Sequence, residues 1–148
     1  MNYTRRKSME PNELEVVKAF IVAINQGNIS QLSGLMTEDH TFIDTGGNVV
    51  SGRDKMIDGW KSYFRMFPDY RIDIESILHN GSLVAIFGSA FGTYNGNRGL
   101  VMENIIKMPA AWKAIVEHGR IKHWQVYADW TEGCKIIDDD NEFSLREG

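Results

Sequence analysis

The chain has one cysteine, Cys134, and three prolines among 148 residues. A single cysteine cannot form an internal disulfide, which excludes the oxidised scaffold of a small secreted protein. The longest unbroken apolar run, Ala19 to Ile24, is far too short to span a bilayer. The N-terminal segment also lacks an apolar core of signal-peptide length. We therefore expect a cytoplasmic protein with no membrane contact.

The chain also has little clustered positive charge, and its histidines lack the spacing of a metal site. The net charge is −4 at pH 7, and the one basic cluster, Arg5-Arg6-Lys7, is short. Nucleic-acid binding requires a basic surface, so no nucleic-acid partner is expected. The four histidines are dispersed and do not have the spacing of a metal site. The sequence therefore predicts no bound metal and no cofactor.

The length and composition suit a single soluble domain with its own core. Of the 148 residues, 43% are hydrophobic and 24% are charged, which is ordinary for a globular protein. Residues 1–11 are polar and are expected to form a flexible tail. Residues 12–133 form the predicted domain, and residues 134–148 are expected to form a mobile acidic tail.

Apolar residues follow helical spacing in the first half of the chain and alternate in the second half. Asn12 can cap a first helix that Gly27 ends. A second helix is predicted over residues 30–36. A third is predicted to begin at Gly52-Arg53-Asp54 and to be stopped by Pro68. Strands are predicted over residues 40–44, 70–78, 83–94, 102–116 and 121–130. Helices followed by an antiparallel meander predict an α+β fold, with the helices on one face of a curved sheet and a cavity at its open end.

The last predicted strand, Ile121 to Trp130, carries two different faces. Alternate residues of a strand point to opposite sides, so a polar row alternates with an apolar row. The polar row is His123, Gln125, Tyr127 and Asp129, and the apolar row is Trp124, Val126, Ala128 and Trp130. We expect the polar row to face the cavity and the apolar row to be covered by a second subunit. Both expectations depend on the same orientation, and they predict a homodimer through the sheet.

The segment from Glu13 to Trp130 resembles the nuclear transport factor two-like superfamily, and within it the SnoaL-like group of polyketide cyclases. The resemblance implies a cone-shaped antiparallel sheet with three N-terminal helices on its concave face, as in ketosteroid isomerase-like proteins. It rests on the order and spacing of local motifs: Asn25-Gln26-Gly27-Asn28, His40 to Asp44 followed by Gly52-Arg53-Asp54, Gly92-Thr93-Tyr94-Asn95-Gly96, and Gly119 to Trp124 followed by Tyr127-Ala128-Asp129.

The resemblance also implies roles for two carboxylates. Asp129 matches the general acid/base on the last strand of SnoaL-like cyclases, and partial burial is expected to raise its pKa. Asp44 resembles the proton-abstracting aspartate of ketosteroid isomerases, although Thr45 stands where those enzymes usually have proline. Limonene epoxide hydrolases use an Asp-Arg-Asp arrangement, for which the later predicted strands offer no suitably placed arginine, since Arg98 is expected in a loop and Arg120 in a turn. Each carboxylate keeps a structural alternative, because Asp129 can cap a turn and Asp44 can serve a turn that contains Gly46-Gly47.

Other side chains are predicted to line the cavity rather than to transfer the proton. Tyr127 is expected to stabilise an enolate oxygen through its hydroxyl. His123 lies roughly 20 Å from Asp129 along an extended strand, so these two residues do not form a dyad. The expected ligand pocket consists of Trp60, Tyr63, Phe87, Trp112, His123 and Gln125.

Three functions remain open from the sequence. The first is a cofactor-independent enzyme that moves a proton on a small apolar carbonyl compound by cyclisation, isomerisation or hydration, with Asp129, Asp44 and Tyr127 as catalytic residues. The second is a binding module for a small hydrophobic ligand without chemistry. The third is a structural, dimerising domain whose cone is filled.

Overall fold

The structure, a computed structural model, describes residues 12–147. The expected N-terminal tail, residues 1–11, lies outside the described residues. Four helices and six strands occur in the described range, together with a short 3-10 turn at Met102–Asn104. In chain order they are α1 (Glu13–Gln26), α2 (Ile29–Leu35), β1 (Met36–Ile43), β2 (Val49–Ser51), α3 (Arg53–Met66), β3 (Arg71–Asn80), β4 (Leu83–Thr93), β5 (Ile105–Glu117), β6 (Arg120–Tyr127) and α4 (Thr131–Glu147).

The ends of the first helices follow from local sequence. The Asn12 side chain accepts a hydrogen bond from the backbone N–H of Glu15 at 2.9 Å, which caps α1 as predicted. Gly27 ends that helix in the left-handed region at φ 62°, where glycine carries no steric penalty. Asn28 caps α2 by accepting from the N–H of Gln31. These boundaries confirm the predicted first two helices to within one residue.

The sheet has the strand order β2-β1-β6-β5-β4-β3 and is curved and open. Strands β3 to β6 form the predicted antiparallel meander. Strand β1 runs parallel to β6, with Thr41 opposite His123, so the sheet is mixed rather than wholly antiparallel. This one pair differs from the expectation because it joins segments about eighty residues apart in sequence, which no local pattern specifies. The α+β class itself is confirmed.

The core lies between the helices and the concave face of the sheet. Phe20 of α1 packs edge-on against Trp124 of β6, with ring centroids 5.0 Å apart, and both side chains are buried. The sheet bends where the pairing of β3 with β4 shifts between Ile74 and Ser76. Gly88 stands at this shift, and a Cβ there would overlap the carbonyl of Asp73. This shift is a β-bulge, and glycine at position 88 permits the close approach of the two backbones.

The C-terminal segment differs most from the expectation. Residues predicted to form a mobile acidic tail instead form α4, and Asp140 on this helix is fully buried. The acidic run Asp138-Asp139-Asp140 was expected to be solvated, but an aspartate can be buried when hydrogen-bond donors from elsewhere in the fold surround it. Among residues 12–147, no helix is both long and apolar enough to cross a bilayer.

Candidate functional site

The concave side of the sheet encloses a cavity of about 530 Å³. Its walls come from α3, the inner face of strands β4 to β6, the turn between β1 and β2, and the start of α4. Most lining side chains are aromatic or aliphatic, and they include all four tryptophans of the chain, Trp60, Trp112, Trp124 and Trp130. A cavity of this size and character suits a small apolar molecule.

Strand β6 turns its apolar row toward the cavity. Trp124, Val126, Ala128 and Trp130 all line it. Strand β6 ends at Tyr127, so alternation within it places His123, Gln125 and Tyr127 on the opposite face of the sheet. The expectation that the polar row faces inward is therefore wrong. The reason is energetic, because enclosing the large apolar rings removes them from water while the polar groups on the outer face keep their hydration.

Asp129 lies outside the cavity and precedes α4. Its Oδ1 accepts hydrogen bonds from the Thr131 hydroxyl at 2.6 Å and from the Thr131 backbone N–H at 3.0 Å. The hydroxyl and then the backbone hydrogen bond lower the pKa of Asp129 below its ordinary value, which is the reverse of the rise that burial was expected to cause. The structural alternative for this residue, an aspartate that caps a turn, describes its contacts.

The remaining outward residues do not reach the cavity. Tyr127 is 48% exposed and Phe87 is 46% exposed. His123 and Gln125 hydrogen-bond each other at 3.2 Å on the same outer face. The prediction that Phe87, His123 and Gln125 line the pocket is therefore wrong. The same holds for the predicted position of the Tyr127 hydroxyl. On β6 these residues alternate with Trp124 and Val126, which line the cavity. Phe87 lies in the same cross-strand row as Tyr127, with Ala111 between them.

Three aromatic residues expected in the pocket do line the cavity. Trp60 and Tyr63 project from α3, and their rings meet edge-on at 6.1 Å. Trp112 projects from β5 and is 2% exposed. Sequence reasoning located the α3 residues because helical spacing places positions 60 and 63 on one face.

Asp44 is the one carboxylate that lines the cavity within residues 12–147. Its Oδ1 accepts from the backbone N–H groups of Gly46 and Asn48, each at 2.9 Å. The Asn48 side-chain amide lies 3.2 Å from Oδ1 and 3.1 Å from Oδ2. Asp44 therefore both holds the β1–β2 turn, as its structural alternative stated, and lines the cavity.

Tyr63 and Tyr70 place a pair of hydroxyl groups at the cavity. Their rings meet edge-on at 4.9 Å. Burial raises the pKa of both phenols well above the ordinary value, so both remain protonated at neutral pH and can donate. Tyr70 was not predicted to line the cavity, because it begins the predicted strand 70–78 and alternation alone does not say which face of that strand meets the cavity.

No group of three or more histidine, cysteine, aspartate or glutamate side chains gathers as a metal site in the described part of the chain. The polar lining instead consists of oxygen and nitrogen groups that can hydrogen-bond an organic ligand, namely Asp44, Thr45, Asn48, Tyr63 and Tyr70. No arginine lines the cavity among these residues, so the Asp-Arg-Asp arrangement of limonene epoxide hydrolases is not present there.

Comparison with known proteins identifies what the chain resembles. A family model for the SnoaL-like domain matches residues 17–124, whereas a search of curated proteins gives no match. A Shewanella putrefaciens protein, proposed to be a SnoaL-like polyketide cyclase, is 20% identical with a TM-score of 0.71 over 90% of this chain and 98% of that chain.

Two further structures share the fold. IdmH from Streptomyces antibioticus, proposed to be a polyketide cyclase, is 20% identical with a TM-score of 0.71 over 86% of this chain and 99% of that chain. An LEH-like epoxide hydrolase from M. tuberculosis is 14% identical with a TM-score of 0.71 over 92% and 96%. At these identities the likeness establishes the fold, and function must be argued from the site.

Proposed function

The chain belongs to the SnoaL-like domain family, and from this premise we propose that it is a cofactor-independent acid/base enzyme. Its substrate is a small, largely apolar carbonyl compound held in the cavity, and the reaction is a proton transfer of the cyclase or isomerase type. The observation that carries the proposal is that one apolar cavity contains both a carboxylate, Asp44, and a neutral hydroxyl pair, Tyr63 and Tyr70.

The two polar groups fit the two ends of an enolisation. The Asp44 carboxylate takes a proton from the carbon next to the substrate carbonyl, and the Tyr63 hydroxyl donates to the oxygen on which negative charge develops. Asn48 contacts both carboxylate oxygens and holds Asp44 in place. Return of the proton from Asp44 to another carbon completes an isomerisation of an unsaturated ketone. In a cyclisation, the enolate carbon attacks a second carbonyl of the same molecule, and the alkoxide that forms takes the proton from Asp44.

The apolar walls strengthen the polar contacts. Most of the cavity lining is aromatic or aliphatic, and a hydrogen bond to a developing charge is stronger where little water competes for it. The raised pKa of Tyr63, caused mainly by burial, keeps its proton available for donation at neutral pH. Asp44 assumes here the role that the sequence assigned first to Asp129.

A second candidate is a binding module that holds a hydrophobic ligand without chemistry. The specific observation in its favour is that Asp44 already accepts hydrogen bonds from two backbone N–H groups and the Asn48 amide. These contacts hold the β1–β2 turn together, which is a structural use of the carboxylate. The two candidates differ in whether bound ketone loses its α-protons, which can be measured directly.

The test uses 1-tetralone, a small apolar ketone with exchangeable α-protons. Binding is followed by intrinsic fluorescence, because all four tryptophans line the cavity. Exchange of the α-protons is followed by NMR in D₂O with and without protein. We expect protein-dependent exchange, together with a fall of about 10²–10⁴-fold in its rate on removing the general base.

Asp44→Asn is the decisive variant, because an asparagine oxygen still accepts from Gly46 and Asn48 and preserves the turn. Asp129→Asn is the matched control, since it alters a carboxylate outside the cavity. We expect Asp44→Asn to bind 1-tetralone but lose exchange, Tyr63→Phe to slow exchange, and Asp129→Asn to match the wild type. Binding without exchange in the wild type would favour the binding module, and loss of exchange in Asp129→Asn alone would refute the role of Asp44.

We also propose that the protein forms a homodimer through the outer face of the sheet. The row of tryptophans on β6 was predicted to form this interface, but it lines the cavity instead. The outer face instead carries Phe87, Ala111 and Tyr127 side by side in register across β4, β5 and β6. Large exposed apolar side chains in one row favour burial against a second copy. Sedimentation equilibrium of the wild type and of Phe87→Lys tests this, and a monomeric wild type would refute it.

A further inference from the structure

The C-terminal helix α4 supplies part of the cavity wall. Trp130 directly precedes α4 and Ile137 lies on its second turn, and both side chains line the cavity. The segment that matches the SnoaL-like domain model ends at residue 124, so this wall lies outside the matched segment. Side chains on this wall limit how far a ligand can extend, which makes the wall a candidate determinant of substrate choice.

A buried aspartate fixes α4 to the loop that follows β4. Asp140 is fully buried, and its Oδ2 accepts from the backbone N–H of Asn97 at 2.6 Å. Its Oδ1 accepts from the N–H of Arg98 at 2.8 Å and from the Asn104 amide at 2.9 Å. The Arg98 Nε lies 3.6 Å from the same oxygen and balances the charge. Gly96 leaves space for this carboxylate, because a Cβ there would overlap it.

The Asn104 side chain, which donates a hydrogen bond to Asp140, is itself held in place. Asn104 is fully buried, and its amide also donates to the carbonyl oxygens of Tyr94 and Gly99, at 2.9 and 3.2 Å. Its carbonyl oxygen accepts from two nitrogens of Arg98. Such a fully satisfied buried network has little freedom to rearrange, so α4 is held at one position relative to the loop.

The first turn of α4 is fixed by packing as well. Gly133 lies directly against the indole of Trp130, where an added Cβ would come within 2.8 Å of the ring. The same indole meets Phe67 edge-on at 6.3 Å. The wall is therefore held at both ends, by an aromatic contact at its start and by the Asp140 network one turn beyond Ile137.

We propose that α4 is a fixed wall that sets the maximum length of the ligand, with Ile137 as the side chain that the ligand's far end meets and Asp140 as the residue that positions the helix. This inference rests on the proposed function in one respect, since it takes the cavity as the ligand site. It names the ligand class more narrowly, as ketones whose apolar tail ends within reach of α4.

A fixed wall has a measurable signature in a homologous series. Each added methylene that finds room in the cavity increases affinity about fourfold. Once the chain contacts Ile137, a further methylene gains nothing and affinity stops rising. We call the chain length at which the rise stops the break, and it is a measure of the distance to the wall.

The experiment uses dimethylaminonaphthyl ketones with acyl chains from propionyl to dodecanoyl, whose emission reports both binding and polarity. Ile137→Ala removes three carbon atoms, so we expect its break to move to chains about two or three methylenes longer. Ile137→Phe is expected to move the break to shorter chains. Ile136→Ala is the matched control, because Ile136 is partly buried on the same helix but does not line the cavity.

Asp140→Asn tests the positioning role separately. It exchanges one acceptor oxygen for an N–H₂ group that faces backbone donors, so we expect faster amide hydrogen exchange in α4 and a less sharp break in the series. Its readout does not depend on turnover, and retention of wild-type exchange across α4 would refute the positioning role.

The outcomes separate the two proposals. A series that binds, with the same break in Ile137→Ala and Ile136→Ala, would overturn the wall and leave the proposed function standing. A wild-type affinity that rises through every chain length would also overturn it. No binding of any ketone to any form would overturn the proposed function and the wall together.

Discussion

Lowering the pH from 7.5 to 5.5 is expected to destabilise the fold through His40. This histidine on β1 is fully buried, and its Nδ1 lies 2.7 Å from the carbonyl oxygen of Ile121. Because a carbonyl only accepts, Nδ1 carries the hydrogen of the neutral ring. Nε2 is buried and has no hydrogen-bond partner. A second proton would therefore place a positive charge in the core with no acceptor for it.

The sign of the effect follows from the pKa of His40. Burial is the largest influence and lowers the pKa, and the charge of His123 lowers it further, whereas the Ile121 hydrogen bond and Asp39 act against them. The unfolded chain titrates at an ordinary pKa of about 6.5. As the pH falls below that value, the unfolded state binds a proton before the folded state does. Stability is then complete above about pH 6.5 and declines below it, at up to about 1.4 kcal/mol per pH unit.

The assay is urea denaturation between pH 5.5 and 7.5, with His40→Asn and His118→Asn compared. An asparagine at position 40 can still donate to Ile121 through Nδ2, so we expect a loss of about 1–3 kcal/mol at every pH from the missing ring and a flat profile over this range. His118 is exposed in a turn at φ 51°, a conformation that asparagine adopts readily, so its variant should keep the wild-type slope. A slope that persists in His40→Asn, or that disappears in His118→Asn, would refute the reasoning.

Three further predictions concern the sheet and the start of α4. Asp129→Ala should lower the Tm in calorimetry, because it removes the acceptor before α4, while 1-tetralone exchange stays at the wild-type rate; an unchanged Tm would contradict the capping role. Trp124→Ala should cost about 3–5 kcal/mol in urea denaturation because the ring that packs against Phe20 is lost, and a cost under about 1 kcal/mol would contradict its place in the core. Gly88→Ala should cost about 1–3 kcal/mol because its Cβ meets the Asp73 carbonyl, and wild-type stability would contradict the tight bulge.

Much of the fold could be predicted because its signals are local. Asn12 and Gly27 delimit α1 through hydrogen bonds and backbone conformation within a few residues. Alternating residues after Pro68 likewise specify the meander, since neighbouring strands pair along the chain. The pairing of β1 with β6 could not be predicted in this way, because it depends on where the helices place β1 after folding.

The candidate site was predicted in part. Trp60, Tyr63 and Trp112 line the cavity as expected. Large aromatic side chains on a helix face or a buried strand usually point toward the interior of the fold. Tyr70 belonged to a predicted strand, but alternation did not specify which face of that strand meets the cavity. Asp140 had no signal either, since an acidic run at the end of a chain is ordinarily solvated.

The sequence by itself determined that β6 has one polar and one apolar row, since strand geometry places alternate side chains on opposite faces. It could not determine which row faces the cavity, because both orientations satisfy the same alternation. The tertiary structure decided this when the helices packed on the side that carries Trp124. Enclosing that row removes the most apolar surface from water, which leaves Asp129 outside the cavity and Asp44 at its wall.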